Sequence, residues 1–310
     1  MKVLLGCINY NGLTGSEIST FELSKSLKEK GCDVHVYSNV GGILASKAKK
    51  LGIKLHNLDS PPRNEKFDII QINHQPIGER LLSLFPNNKF INIVRSRILP
   101  IEYPLIDRRN RIKKYIAINE VVEKFMVEKY EEINADNIEM IYNITKDKRV
   151  NKKTLDIDIE NFVLLPGTMN YLRKNMVYDI TEKTKLSGKK LVLVGNDHDF
   201  GYAKKLSTEN EHVIYYDEMS DLSGLLEKCD KICGLYLGRT LIEGFKYNKK
   251  GIGYLVDMRG EIEEIKEDIF PKDMDLFETE YITEQYINLY KEVINEMEEK
   301  INIPITKITK

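Results

Sequence analysis

The sequence predicts an α/β protein built as two parallel-sheet halves, and three observations predict it. Short apolar runs bounded by Gly, Asn or Pro alternate with longer amphipathic segments, the pattern of strands and crossover helices. The alternation is interrupted once, by TKDKRVNKKTLDIDIE at 145–160, a charged stretch without apolar periodicity that reads as a linker. A length of 310 residues, 42% hydrophobic and 31% charged, suits two ordinary domains, each with its own core. The expected division is 1–148, 149–280 and a closing helical segment at 281–310.

In the first half, 2–8 reads as a buried strand and NYNGLTGS at 9–16 as a glycine-rich loop. Ile18, Phe21, Leu23 and Leu27 then fall mainly on one face of a helix at 17–30, which Gly31 ends before a second strand at 33–37. This is a Rossmann-type opening. Its loop is not GxGxxG, which disfavours a dinucleotide cofactor. A helix at 45–51 and a short strand at 54–58 follow. FDIIQIN at 67–73 is a buried strand that delivers His74 at its carboxyl end, where open parallel sheets bind ligands. The same place also suits a histidine that only makes a structural hydrogen bond. NIVRS at 92–96 brings Arg95 and, just beyond, Arg97, suited to an anionic acceptor or to solvent. The basic run RRNRIKK at 108–114 reads as a solvated turn in preference to a membrane-facing patch. A strand at 115–118, a helix at 120–130 and a strand at 138–142 ending at Asn143 close this half.

The second half starts with a strand at 162–166. GTMNYLRKN at 167–175 then places Arg173 and Lys174 beyond the strand end. Two cations there can stabilise charge that builds on a departing group, or can form a plain surface pair. A strand at 190–194 ends at Gly195 and leads to Asp197, His198 and Asp199, which read as a polar loop; no metal is expected. After a strand at 213–216 comes DEMSDLSGLLEKCD. The chain then gives a strand at 231–237, a tight turn at Gly238, a short helix opening at Arg239 and Thr240, and a strand at 252–256. Gly238 admits close approach of a ligand to the backbone. The helix start offers unpaired N–H groups with a partial positive charge, beside an Arg and a Thr hydroxyl. Those are the parts of a phosphate site, although an ordinary strand–turn–helix uses the same residues. Glu243, one turn in, is within reach of hydroxyls attached to such a phosphate, for example a ribose diol. An acidic helix is expected at 261–268, a long helix at 281–300 and a frayed tail at 301–310.

Net charge is −1, so nothing advertises nucleic acid or an acidic membrane as an electrostatic partner. Cys7, Cys32, Cys229 and Cys233 are scattered, too few in any one place for a zinc site, and read as reduced thiols. The opening MKVLLGCINY has no cleavage pattern and is too short to span a bilayer; a cytoplasmic protein without a transmembrane segment is expected.

GRTLIEG followed by KKGIGYLVD, with LPGTMNYLRKN and LVLVG upstream, resembles the donor-site block of retaining GT-B glycosyltransferases of the group 1/family 4 type. The likeness in element order covers nearly the whole chain. It implies two Rossmann-like domains facing a cleft, the first binding acceptor and the second binding donor, with the last helix crossing back to the first. It implies a hexosyltransferase that moves a sugar from a nucleotide sugar, a UDP-sugar first among them, to an acceptor hydroxyl. Retention is implied, with no metal and no cofactor beyond that co-substrate. By this resemblance Gly238, Arg239 and Thr240 hold the donor diphosphate. Glu243 matches the second of the family's paired glutamates and holds the ribose. Gly12, Gly15 and Ser16 stand in the first loop, which approaches the donor phosphate or the acceptor. Gly167 and Lys174 match a Gly…Lys pattern; Thr168 replaces the usual Arg, and Arg173 sits beside the Lys, so both cations are candidate catalytic groups. His74 lies in the general region of a sugar-touching histidine, Tyr216 and Met219 fall at the base site, and Asn119 and Asn143 fall in the unit that closes the first domain. The first glutamate falls at Leu235 and is missing. That departure keeps two other readings open, a non-catalytic nucleotide-sugar sensor and an epimerase of the same fold. A glycan, a lipid-linked glycan, a small metabolite and a hydroxylated nucleic-acid base all stand as acceptors, the near-neutral charge weighing against the last.

Overall fold

The computed structural model describes residues 1–146, 159–197, 201–219 and 221–301, with side chains through 296. Most of the expected linker, the expected tail and the residues His198 and Asp199 fall outside the described residues.

The first half is β1 (Lys2–Tyr10), α1 (Gly15–Glu29), β2 (Asp33–Val40), α2 (Gly42–Lys50), β3 (Lys54–Asn57), β4 (Ile69–Ile72), α3 (Gln75–Leu84), β5 (Phe90–Val94), β6 (Ile112–Ala117), α4 (Glu120–Lys129) and β7 (Ile138–Met140). Its strands form one parallel sheet in the order β3-β2-β1-β4-β5-β6-β7. The second half is β8 (Phe162–Pro166), α5 (Lys174–Leu186), β9 (Lys190–Val194), α6 (Tyr202–Glu209), β10 (Val213–Tyr216), α7 (Ser223–Lys228), β11 (Lys231–Leu235), α8 (Arg239–Lys246), β12 (Lys250–Val256) and β13 (Ile262–Ile269). These strands form a second sheet, β10-β9-β8-β11-β12-β13, parallel except where β13 runs against β12. Strand order reverses at β1/β4 in one sheet and at β8/β11 in the other. Loops leave such a point in opposite directions and open a crevice at the carboxyl ends of the strands.

Strand composition follows from burial on both faces. Residues of β8 alternate between two cores: Val163 and Leu165 join one apolar cluster, Phe162 and Leu164 the other. In β9, Leu191 and Leu193 go to the first cluster and Val192 and Val194 to the second. A sheet covered by helices on both sides needs apolar residues at every position, which is why these strands read as unbroken apolar runs.

The acidic helix expected at 261–268 is a strand, β13. Ile262, Ile265 and Ile269 have helical spacing and all pack on the second-half cores. They do so because β13 carries an extra residue at two places in its pairing with β12, between the partners of Gly251 and Gly253 and between those of Leu255 and Val256. Each bulge resets the in–out alternation: one brings Ile262 and Ile265 to the same face, and the other sends Ile269 to the opposite face.

The last helix, α9 (Thr279–Ile301), returns to the first half. Ile282, Tyr286, Leu289, Tyr290 and Val293 are buried in the first-half core, and the Tyr290 hydroxyl donates to Gln71 Oε1 of β4 at 2.6 Å. Other links fasten the halves. Ile98, just past β5, is buried in a second-half cluster. Arg97, expected to serve an anion or solvent, instead donates to the Val256 carbonyl at 2.8 Å and pairs with Glu263. The Tyr236 hydroxyl donates to Glu120 Oε1 at 2.7 Å. Asn119 caps α4 by accepting the Val121 and Val122 N–H groups, and its amide donates to the Tyr236 carbonyl at 3.4 Å. In the basic run, Arg111 is pinned to Asp107 and Lys114 to Glu139 and Glu292, so the run is tied down by ion pairs.

Candidate active site

A cavity of about 500 Å³ lies between the halves, walled by the carboxyl-end loops of both sheets. The β11–α8 turn forms one wall. Leu237 takes φ +45°, and Gly238 then N-caps α8 with extended backbone angles. The first N–H groups of a helix have no intrahelical carbonyl, and here they belong to residues that line the cavity, Arg239 and Thr240. The Arg239 guanidinium pairs with Glu243 one turn on, and both side chains are largely buried. Arg239 Nε is buried without a hydrogen-bond partner. Glu243 therefore reaches the predicted place, but with one oxygen already engaged.

The β8 loop forms the neighbouring wall. Gly167 takes φ +128°, and a Cβ there would stand 2.2 Å from an Arg173 guanidinium nitrogen. Glycine is needed because the Arg173 head lies across it, donating to the Pro166 carbonyl at 3.2 Å. Burial works against the Arg173 charge, and among the described residues no carboxylate lies against it. A half-buried cation held by a neutral carbonyl stabilises an incoming anion more than a fully exposed one does. Lys174, the other predicted cation, is exposed as the first residue of α5 and does not line the cavity. Asn170, with its Oδ1 buried and unpartnered, also faces the cavity.

The first half supplies the opposite wall. The loop before α1 gives amides of its own to a carboxylate of the chain. The Glu17 carboxylate accepts the Gly12 N–H at 3.2 Å and the Thr14 N–H and hydroxyl at 3.0 Å each. This is a capping box, closed on the chain's own carboxylate. Gly12 is thus occupied, whereas Gly15 and Ser16 line the cavity from the first turn of α1.

His74 lines the cavity as the N-cap residue of α3. Its Nδ1 accepts the Ile8 N–H at 3.1 Å, which leaves the proton of the neutral ring on Nε2. Nε2 faces Glu102 Oε1 at 3.8 Å. Burial, with a smaller contribution from Arg95, pushes the His74 pKa down to about 4, so this is a neutral histidine beside a carboxyl group and not an ion pair. Burial also raises the Glu102 pKa. Arg95 completes the group, donating to Asn143 Oδ1 at 2.8 Å and Asn73 Oδ1 at 3.3 Å. Asn143, Arg95 and Glu102 all line the cavity.

The structure thus brings Gly15, Ser16, His74, Gly167, Arg173, Gly238, Arg239, Thr240, Glu243 and Met219 around one space. It leaves out Lys174 and also Tyr216, which packs partly buried against the α7/β11 core. Leu235 lines the cavity with an apolar side chain where the family pattern has its first glutamate. Glu17 and Glu102 went unread in the sequence. For Glu17 a signal existed, Thr-x-x-Glu at 14–17; Glu102 sits in a short turn at Pro100–Glu102 with no motif around it. Of the polar loop expected at 197–199, Asp197 is described and accepts the Lys204 N–H at 3.0 Å.

No protein-family model matches the chain, and no curated protein matches it either. Solved structures do. A glycosyltransferase from Rickettsia africae is 17% identical with a TM-score of 0.68, covering 94% of this chain and 98% of that one. HepE from Anabaena, solved with UDP and glucose, is 15% identical with a TM-score of 0.63, covering 95% and 92%. TarM from S. aureus, solved with UDP among its ligands, is 12% identical with a TM-score of 0.62, covering 93% and 99%. At these identities the likeness is one of fold, and the fold is GT-B: two facing α/β domains and a final helix that crosses back. Among the described residues no helix is long and apolar enough to cross a membrane.

Proposed function

We propose that this chain is a nucleotide-sugar-dependent glycosyltransferase, taking a UDP-sugar and passing the hexose to an acceptor hydroxyl with retention. The observation that carries the proposal is the pairing, in one cavity, of a free helix N-terminus at Gly238–Thr240 with the half-buried Arg173 guanidinium, against which no carboxylate lies among the described residues. That pair suits a diphosphate, and it suits best a diphosphate gaining charge as its bond to a sugar breaks. HepE, of the same fold, was solved with UDP and with UDP-glucose, which supports a uridine donor.

In this reading the α8 amides and Arg239 bind the diphosphate in the ground state. Glu243 uses its remaining oxygen on the ribose. Arg173, fixed by the Pro166 carbonyl, meets the charge on the leaving oxygen without moving. Positive charge for the leaving group thus comes from guanidinium groups, and no metal is assigned a role. The neutral His74 donates through Nε2 to a sugar or acceptor oxygen on the first-half wall. The domain division at 1–148, 149–280 and 281–310 follows the same assignment, acceptor side first and donor side second. A place in the cytoplasm, where nucleotide sugars are at hand, fits it.

The apolar Leu235 favours a second reading, a protein that binds the nucleotide sugar without transferring it. Incubation with UDP-glucose, UDP-galactose and UDP-N-acetylglucosamine, followed by measurement of released UDP, separates the two. UDP release abolished by Arg173→Met supports transfer. Saturable binding with no release across glycan, lipid-linked and small-molecule acceptors contradicts it.

A further inference from the structure

Away from the cleft, His35 of β2, His56 of β3 and Glu65 bring a ligand atom each to within 4.8 Å of one another. We propose that these three side chains bind a divalent transition-metal ion, Zn²⁺ being the cation they fit, at the outer edge of the first sheet. The register explains how the histidines meet. His35 pairs with Lys54 and Tyr37 with His56, so the two rings are diagonal neighbours on one face of adjacent parallel strands.

His35 Nε2 lies 3.3 Å from Asp33 Oδ2, which fixes the tautomer and turns Nδ1 toward the proposed ion. A carboxylate that orients a ligating histidine from behind is a recurring feature of metal sites. His35 Nδ1 and His56 Nε2 are 2.8 Å apart. With zinc–nitrogen bonds of about 2.0–2.1 Å, two ligands of a tetrahedral ion stand roughly 3.3 Å apart, so a small ring displacement admits the ion in place of the shared proton. Lys2 pairs with Glu65 Oε2 and Lys54 with Asp33, so two cations stand near the site and two carboxylates offset them. Phe67, packed edge-on to His35 at 5.1 Å, closes the inner side. His56 and Glu65 are partly exposed, so ions have a way in and a water can complete the coordination.

The role this assigns is structural. His35 is near the start of β2, whose other end leads toward the cleft, so an ion here lies at the opposite end of the sheet. It ties the edge strand β3 and the segment carrying Glu65 to β2. Edge strands have one unpaired side and are the first to fray.

The test uses the full chain stripped with a chelator, then titrated with ZnCl₂ by calorimetry and with CoCl₂ by visible absorption. Expected are one ion per chain at micromolar affinity, a Zn²⁺-dependent rise in Tm, and a cobalt spectrum of nitrogen and oxygen ligands. His56→Asn and Glu65→Gln should each weaken binding about tenfold or more, and Asp33→Asn by a comparable factor through His35. Because His35 is fully buried, its variants are avoided in favour of these more exposed positions. Three results overturn the proposal: no Zn²⁺ binding by the wild-type chain at micromolar concentrations, unchanged affinity after His56→Asn, or thiolate-to-cobalt charge-transfer bands that place the ion on cysteines.

Discussion

Two strand-to-helix turns face the same cavity, one from each half, and they differ in whether a carboxylate of the chain caps the loop before the helix. Both carry glycine and both open a helix beside the carboxyl end of a switch-point strand. In the first half, the turn before α1 closes around Glu17, which accepts three hydrogen bonds from Gly12 and Thr14. In the second, the turn before α8 has no such carboxylate within it; Glu243 is held by the Arg239 side chain and leaves the amides of the first turn open. The first turn gives its Gly12 and Thr14 donors to its own carboxylate, while Leu13, Thr14, Gly15 and Ser16 still line the cavity. The second has no such internal carboxylate on its loop amides among the described residues.

The largest effect expected from this division is at Arg173. Arg173→Met should lower kcat by about 100-fold or more while changing donor Kd far less, because the charge it meets develops in the transition state. Steady-state UDP release and equilibrium donor titration measure the two, and an equal loss in both would make Arg173 a ground-state binding group.

Next is the acid sensitivity of the first-half wall. The His74 pKa is about 4 in the folded chain against an ordinary value of 6.5. The unfolded chain therefore binds the extra proton between these values, and stability contributed by the neutral ring is full above pH 6.5 and falls as pH drops toward 4. The loss amounts to ~3 kcal/mol. Glu102, with its pKa raised, acts in the opposite sense, because protonation favours its folded form. Denaturation followed from pH 7 to pH 4 should show a flatter profile in His74→Gln than in the wild-type chain. Parallel profiles would mean that His74 is not the group that charges.

A smaller effect separates the two turns directly. Glu17→Ala should cost about 1–2 kcal/mol of stability through the lost cap, with UDP affinity nearly unchanged. A clear gain in UDP affinity would show that Glu17 had been competing for a phosphate site in the first half, and the division would fail. Smallest is Lys174→Ala, expected to leave turnover within about twofold, as for an exposed side chain off the cavity. A loss as large as that of Arg173→Met would reverse the assignment of the two cations.

The fold was legible where strands are buried on both faces. FDIIQIN and LVLV have no other comfortable place than the middle of a covered parallel sheet, and the order of such runs set the two-half architecture. β13 was not legible, since Ile262, Ile265 and Ile269 have the spacing of a helix face, whereas the strand's bulges place Ile269 on the face opposite the other two. Within the site, the Gly238–Glu243 turn could be read because its parts are consecutive in sequence and act through local geometry. The choice between Arg173 and Lys174 could not be read, because one residue of phase at a helix start decides which side chain lies over Gly167. Glu102 and Arg95 depend on contacts between loops far apart in the chain. Glu17 is the instructive miss: its Thr-x-x-Glu spacing was visible and states that the loop amides have an internal partner.

The central claim is that a nucleoside diphosphate binds at the second turn and not at the first. A crystal structure of the chain with UDP tests it most directly. The account predicts diphosphate oxygens within hydrogen-bond distance of the Arg239 and Thr240 N–H groups and of the Arg173 guanidinium, with the Glu17 capping box intact. A diphosphate lodged in the loop before α1, with Glu17 displaced from Gly12 and Thr14, would contradict it.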